Sequence, residues 1–331
     1  MQPITWVVGA GGVLGTALTA SLKVRNRRMF YPAKRLAWGR PDLACTQIKS
    51  LVQRFSELID PAVGWEIYWA GGVSSMNSPI DQLTIETRYL SHLIDMIGSH
   101  SRLLKIPGCF CFSSSAGAIY SAASTRLLNE ESPVCPSTNY GKQKLIQEQI
   151  VSTSKLARSG SAIFIARIST LYGIQEPGKK PKGLIATLVD HLLKRQPTHV
   201  FVPLETIRDY LWSQDAAEIL IESSKRAFEQ RQSVIKIVSA ERPTTIAELL
   251  HTIQQISQRR PLITSGFQPE KAKAYQQCFR FQSIVYPDLS HLAKTSLQSG
   301  IFQIIATRRA AGEPLRYKHS LDAGRVRDGT A

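Results

Sequence analysis

Residues 4–22 read ITWVVGAGGVLGTALTASL. The run ITWVV is short and apolar, which predicts a buried strand, and VLGTALTASL predicts a helix. Between them Gly9, Gly12 and Gly15 form Gly-x-x-Gly-x-x-Gly, because Leu14 stands at the last position of the commoner Gly-x-Gly-x-x-Gly fingerprint. One glycine serves where the strand turns, one where backbone approaches a pyrophosphate, and one where the helix packs on the strand. The phosphate then sits at the positive helix end. A glycine loop alone is often only a tight turn. Strand, three spaced glycines and apolar helix in this order predict a dinucleotide site, and with it an α/β fold built on a doubly wound parallel sheet. Val13 and Leu14 join the glycines as cofactor contacts.

A second stretch carries chemistry. CFCFSSSA, residues 109–116, reads as a buried strand that delivers Ser114 and Ser115 to the carboxyl edge of the sheet. The polar residues 120–139, with Pro133 and Pro136, predict a loop, and Ser137 or Thr138 can cap the helix that follows. On that helix Tyr140 and Lys144 are four apart and share a face, with about 5 to 6 Å between Cβ atoms. A free phenol ionises near pH ~10, and nearby positive charge favours the phenolate. Lys144 and a cationic nicotinamide are therefore expected to bring Tyr140 toward neutrality, as a general acid or base. Ser115 would hold the substrate oxygen, with Ser114 as a further substrate contact, and Lys144 the nicotinamide ribose, for hydride transfer at a carbinol carbon. A Tyr-x-x-x-Lys spacing by itself is usually solvated helix surface; the serines and the glycine loop shift the balance.

Gly9, Gly12 and Gly15, the trio Ser115, Tyr140 and Lys144, and Arg208-Asp209-Tyr210 together resemble the extended short-chain dehydrogenase/reductase family of nucleotide-sugar epimerases, dehydratases and ketoreductases. The resemblance runs from residue 4 to about residue 305. It implies a Rossmann domain over 1–173, to which 208–240 return, and a smaller C-terminal substrate lobe from 174–207 and 241–310. The polar, basic, Gly-rich residues 311–331 predict a disordered tail. Ala70-Gly71-Gly72, after the strand WEIYW, resembles the small residues lining the family's adenine-ribose groove, ordinary close contact being the alternative. Arg208 is implied to touch the substrate's nucleotide, or else forms an ion pair with Asp209 or Asp215. The implied substrate is a nucleotide-linked sugar, and a homodimer is a candidate assembly.

Departures from the family pattern are informative. Thr170 replaces the asparagine of Arg-x-x-Asn-x-Tyr-Gly that usually touches the sugar-nucleotide phosphates, and is either a substrate contact or a plain strand-end threonine. No asparagine occurs between positions 80 and 100, where many relatives carry one for a proton-relay water. Ser115 is followed by Ala116-Gly117, where dehydratases carry an Asp-Glu pair. Dehydration is thus disfavoured, leaving epimerisation or ketoreduction. Residues 41–64 have room for one helix, around IKSLVQRFSELI, so the sheet is expected to lack or abbreviate its third strand.

The net charge is +16, and seven cations fall between Lys23 and Arg40. Lys23, Arg25 and Arg27 read as a solvated basic face. RLAWGR, residues 35–40, reads as the second strand, ending in Arg40 where a dinucleotide site meets the adenosine ribose. A cation there suits a 2′-phosphate, so NADP is favoured; Asp42, two residues on, keeps NAD open. The lysines at 179, 180 and 182 are a solvated loop or a lid over a substrate diphosphate. No helix-turn-helix, zinc or aromatic-stacking motif accompanies the charge, which speaks against a specific nucleic-acid partner. Five scattered cysteines and seven histidines show no metal-ligand spacing. No run of 18 apolar residues and no charged leader before the first strand are present, so a cytoplasmic protein is expected.

Overall fold

Trp6 and Val8 point to one side of the first strand and Val7 to the other, and all three are buried. A strand buried on both faces needs helices on both sides of its sheet. A computed structural model, which describes residues 2–311 apart from 73, 75, 77, 124, 126, 176–180 and 266–278, has that arrangement. In chain order the first half is β1 (Ile4–Val8), α1 (Val13–Val24), β2 (Met29–Phe30), α2 (Pro41–Glu57), β3 (Trp65–Trp69), α3 (Ile80–Ser99), α4 (Ser101–Lys105), β4 (Gly108–Ser115), α5 (Ala116–Ile119), α6 (Asn139–Ser152) and α7 (Lys155–Arg158). There follow β5 (Ala162–Ile168), β6 (Thr170–Tyr172), α8 (Leu184–Lys194), β7 (Thr198–Val200), β8 (Ile207–Trp212), α9 (Ser213–Gln230), β9 (Val234–Val238), β10 (Pro243–Thr245), α10 (Ile246–Ser257), β11 (Ile263–Ser265) and α11 (Leu297–Ala310).

Six parallel strands in the order β2-β1-β3-β4-β5-β9 form the main sheet. One apolar cluster, including Trp6, Trp69, Phe110 and Phe112, packs under α2 and α3; the other, including Val7, Tyr68, Cys111 and Phe164, packs under α1 and α9. The interval between β2 and β3 holds α2 and no strand, as its length predicts. Register fixes the site. Val8, Trp69 and Phe112 stand side by side, so the loops after β1 and β3 leave at one level. β4 runs three residues further, to Ser115 opposite Ile168. The glycine loop, Ala70-Gly71-Gly72 and Ser115 therefore share the carboxyl edge.

A smaller sheet, β10-β8-β6, and the pair β11-β7 lie with α8, α10 and α11 around a third cluster that includes Tyr172, Val189, Trp212 and Ile253. α10 opens with the capping box expected of Thr245 and Glu248, each bonding the other's backbone N–H. No helix among the described residues is long and apolar enough to cross a membrane. Lys179, Lys180 and residues 312–331 lie outside the described residues.

Two expectations about the basic stretch are corrected. The second strand is Met29–Phe30, paired with Thr5 and Trp6, and residues 35–40 form a loop. The apolar alternation of RLAWGR has another cause: Leu36 and Trp38 anchor that loop against the first cluster. Arg25 and Arg27 are not a solvated face, since Arg25 bridges Glu218 and Glu222 of α9 and Arg27 pairs with the buried Glu66 of β3.

A methyl group on Gly15 would lie 2.1 Å from the Gly9 carbonyl oxygen, whereas one on Gly117 meets nothing within 4 Å. Gly15→Ala should therefore cost about 2–3 kcal/mol in urea denaturation, as overpacking against backbone does, and Gly117→Ala should stay within about 0.5 kcal/mol of the parent.

Candidate active site

The loop after β1 is shaped by what cannot fit in it. Gly9 has φ 87°, and a Cβ there would lie 2.5 Å from Gly71 Cα, so the ends of β1 and β3 touch through glycine alone. Helix α1 starts at Gly12 without a side-chain cap and without an acidic residue in its first turn. Its opening N–H groups and positive dipole end are left uncompensated, which is an anion site. Leu14 is buried, so only its backbone can face that site. These residues fit the pyrophosphate of a dinucleotide.

The cation at this loop is Arg35. Its guanidinium carbon lies 3.7 Å from the place a Gly11 Cβ would take. Arg40 instead occupies the N-cap of α2, and Asp42, in the first turn of that helix, pairs with Arg88 of α3 at 2.9 Å. Trp38 covers Gly71, set edge-on to Trp69 and Tyr89, and the Tyr89 hydroxyl donates to its carbonyl at 2.6 Å.

Helix α6 brings the acid–base candidates to the same edge. Thr138 caps it, accepting from Gly141 N at 3.1 Å. Gly141 lets it approach α5, since a Cβ there would be 2.4 Å from the Ala118 carbonyl oxygen. Lys144 is buried, with Nζ 5.6 Å from the Tyr140 ring centroid and 5.3 Å from that of Phe112. Its ammonium donates to Glu86 Oε1 at 3.1 Å and to Gln147 Oε1 at 3.0 Å. Glu86, on α3, is buried too, and its other oxygen accepts from Ser74 N at 3.2 Å.

Acidity follows from this ion pair. Burial pushes Glu86 up, but the charge and hydrogen bond of Lys144, with the Ser74 N–H, hold its carboxyl below the usual range. Burial pulls Lys144 down, and Tyr140 and Glu86 outweigh that, keeping it above its ordinary value. Tyr140 is pushed up by burial; Lys144 lowers it and Glu86 raises it, so the phenol sits above, not below, an ordinary tyrosine. The expected drop toward neutrality is not a property of the lysine alone, because burial outweighs its charge and Glu86 opposes it.

Ser115 ends β4 at the N-cap of α5, and its half-buried hydroxyl has no partner among the described residues. Ser114 faces the other way, donating to Glu148 Oε1 at 2.6 Å. Glu148 also receives Arg167 Nη2 at 2.8 Å, and Arg167 Nη1 donates to the Tyr120 hydroxyl at 2.6 Å. Ser114, expected to touch the substrate, is instead committed to a buried network through Glu148. Thr170 starts β6 opposite Tyr210 of β8. Arg208 lays its guanidinium 4.7 Å over the Phe279 ring, while Asp209 accepts from the amides of Ala240 and Arg242 and Asp215 from Thr295. Glu86, Gln147, Glu148 and Arg35 were missed by sequence reasoning. A signal existed for two of them: Gln147 and Glu148 lie seven and eight residues after Tyr140, on the face it shares with Lys144.

A parallel sheet in this order, with a glycine loop after β1 and a Tyr-x-x-x-Lys helix after β4, defines a Rossmann protein of the short-chain dehydrogenase/reductase type. The chain belongs to the NAD dependent epimerase/dehydratase family, whose model matches residues 5–237. A proposed UDP-glucose 4-epimerase of Methanocaldococcus jannaschii is 26% identical over 143 residues, which is 43% of this chain and 45% of that one. The dTDP-4-dehydro-6-deoxyglucose reductase of Escherichia coli is 26% identical over 163 residues, 49% of each chain. The match thus spans about half the length of these curated relatives. Among solved structures, UDP-glucose 4-epimerase of Brucella ovis with NAD has a TM-score of 0.76 at 14% identity, over 92% of this chain and 98% of that one. RMD of Pseudomonas aeruginosa with NADPH has a TM-score of 0.73 at 18% identity, over 93% and 100%. Identities this low establish a shared fold.

Glu148→Ala leaves the Arg167 charge buried and alone, and should cost about 3–5 kcal/mol in denaturant titration. Ser114→Ala removes one hydrogen bond from the same network and should cost about 1–3 kcal/mol. Equal, negligible losses would place Glu148 and Arg167 in a hydrated setting instead.

Proposed function

We propose that the protein is an NAD(P)-dependent epimerase or ketoreductase acting on a nucleotide-linked sugar, with Tyr140 as the acid–base residue. The observation that carries this reading is the buried Lys144 ammonium beside Tyr140, at the sheet edge that also holds Ser115 and the uncapped start of α1. The bound nicotinamide cofactor supplies the hydride acceptor and donor. Ser115 holds the reacting sugar oxygen by hydrogen bond, and Tyr140 takes or returns its proton. Lys144 fixes the cofactor ribose and orients the tyrosine. Ala116 and Gly117, beside Ser115, have no group that transfers protons, so elimination of water is not part of the reaction. Names of relatives that include a 4-epimerase and a 4-keto-sugar reductase support both branches.

Arg35 at the glycine loop supports NADP, taking over the role first assigned to Arg40. A charge-assisted contact to phosphate contributes about 1.5 to 3 kcal/mol. Arg35→Ala should weaken NADPH roughly tenfold to a hundredfold while leaving NADH almost unchanged, and Arg40→Ala should affect neither. Equal loss of both cofactors on titration of Arg35→Ala would remove the argument for NADP.

Activity is read in two assays. In one, NADPH absorbance at 340 nm is followed with a panel of 4-keto nucleotide sugars; in the other, nucleotide sugars incubated without reductant are separated by chromatography. Stoichiometric NADPH oxidation identifies a reductase, and a new isomer without net cofactor change an epimerase. In either case Tyr140→Phe should lose nearly all turnover with little change in cofactor affinity, because the ring is kept and only the hydroxyl goes. Substantial turnover in that variant contradicts the acid–base assignment.

A further inference from the structure

Lys144 is held by a carboxylate that the Tyr-x-x-x-Lys spacing does not announce. Glu86 lies on α3 three residues after Leu83 and four before Leu90, on a stripe that is otherwise apolar and buried. Its two oxygens do different things. Oε1 takes the Lys144 ammonium at 3.1 Å, and Oε2 takes Ser74 N at 3.2 Å and lies against Gly72, where an added Cβ would come within 3.2 Å of it. One carboxylate therefore ties the lysine to the segment that leaves β3 beside the glycine loop. An ion pair this deeply buried is a poor source of stability compared with apolar side chains of the same size. Its placement is better explained by what it does to its neighbour.

We propose that Glu86 is a positioning residue: its buried carboxylate fixes Lys144 beside Tyr140 and offsets part of the ammonium's field at the phenol. The charged and titratable groups around them support this. From α6 come Tyr140, Lys144 and Glu148, with the neutral Gln147; from β5 comes Arg167, which is bound to Glu148, and from the end of α5 comes Tyr120, which is bound to Arg167. From β4 come only Ser114 and Ser115, and from the segment after β3 the Ser74 amide. The Arg167–Glu148 pair is internally neutral, and so is Lys144–Glu86. At Tyr140 the ammonium is thus opposed by Glu86, and burial, the largest influence, leaves the phenol pushed up. The inference rests on the acid–base role proposed for Tyr140, but its test uses no substrate.

The test is the phenolate absorbance at 295 nm during pH titration of the full-length protein without ligands. Each variant is read as its difference from the same variant carrying Tyr140→Phe, with circular dichroism reporting the fold at each pH. Glu86→Gln keeps size and hydrogen-bonding capacity but removes the charge. It should give about tenfold more Tyr140 phenolate at a given pH. Gln147→Glu adds a second carboxylate within reach of the ammonium, 3.0 Å from Nζ in the parent, and should move the signal the opposite way. The double variant Glu86→Gln, Gln147→Glu moves the carboxylate from α3 to α6 and should return to the parent curve. Should Glu86→Gln not fold, Gln147→Glu carries the test alone. A Tyr140 signal that stays at the parent position in the folded single variants, or moves the same way in both, overturns the proposal. If instead the titration behaves as expected while Tyr140→Phe retains turnover, the electrostatic assignment stands and the acid–base reading falls.

Discussion

A lysine ammonium buried next to a tyrosine must be compensated, and much of the site's construction follows from that. Lys144 sits on α6, and its carboxylate partner is reached only because α3 packs alongside with Glu86 turned inward. Glu86 in turn reaches Ser74 and Gly72, so the lysine, the helix that compensates it and the end of β3 are one hydrogen-bonded unit. The second buried pair, Arg167 with Glu148, lies on the sheet side of the same helix. Two neutral pairs are therefore buried along one helix, and Lys144 feels the carboxylates of both. Breaking either leaves a lone charge in low dielectric, which costs far more than the intact pair contributes.

The sheet makes this unit useful. All its strands are parallel, so the loops after β1, β3 and β4 open on one edge, and their register puts Ser115 three residues beyond the level at which the glycine loop leaves. Crowding at Gly9 and Gly15 brings bare backbone and an uncapped helix end to that edge. In the proposed reading, cofactor binding and proton transfer then meet at this edge, and Lys144 serves both.

Much of this was legible because it is local. Strand, glycine loop and helix at 4–22, the Thr245–Glu248 capping box and the missing strand between β2 and β3 each follow from spacing within a few residues or from the length of an interval. The basic stretch was misread for a physical reason. Leu36 and Trp38 alternate like a strand, yet they do so to anchor a loop, and that loop presents Arg35, not Arg40, to the glycines. Glu86 was invisible because its partner is 58 residues away, and a carboxylate on an apolar stripe acquires meaning only when the facing helix is known. Ser114 and Ser115 are adjacent, but alternation on β4 sends them to different environments, one to Glu148 and one to the site.

Whether one cofactor spans the glycine loop and the Tyr140–Lys144 helix is decided by a crystal structure with NADPH bound. The adenosine 2′-phosphate is expected beside Arg35, the pyrophosphate at the start of α1, and the nicotinamide ribose within hydrogen-bonding reach of Lys144, with the Tyr140 and Ser115 hydroxyls facing the nicotinamide. NADPH bound elsewhere, or bound with its ribose out of reach of Lys144, contradicts it.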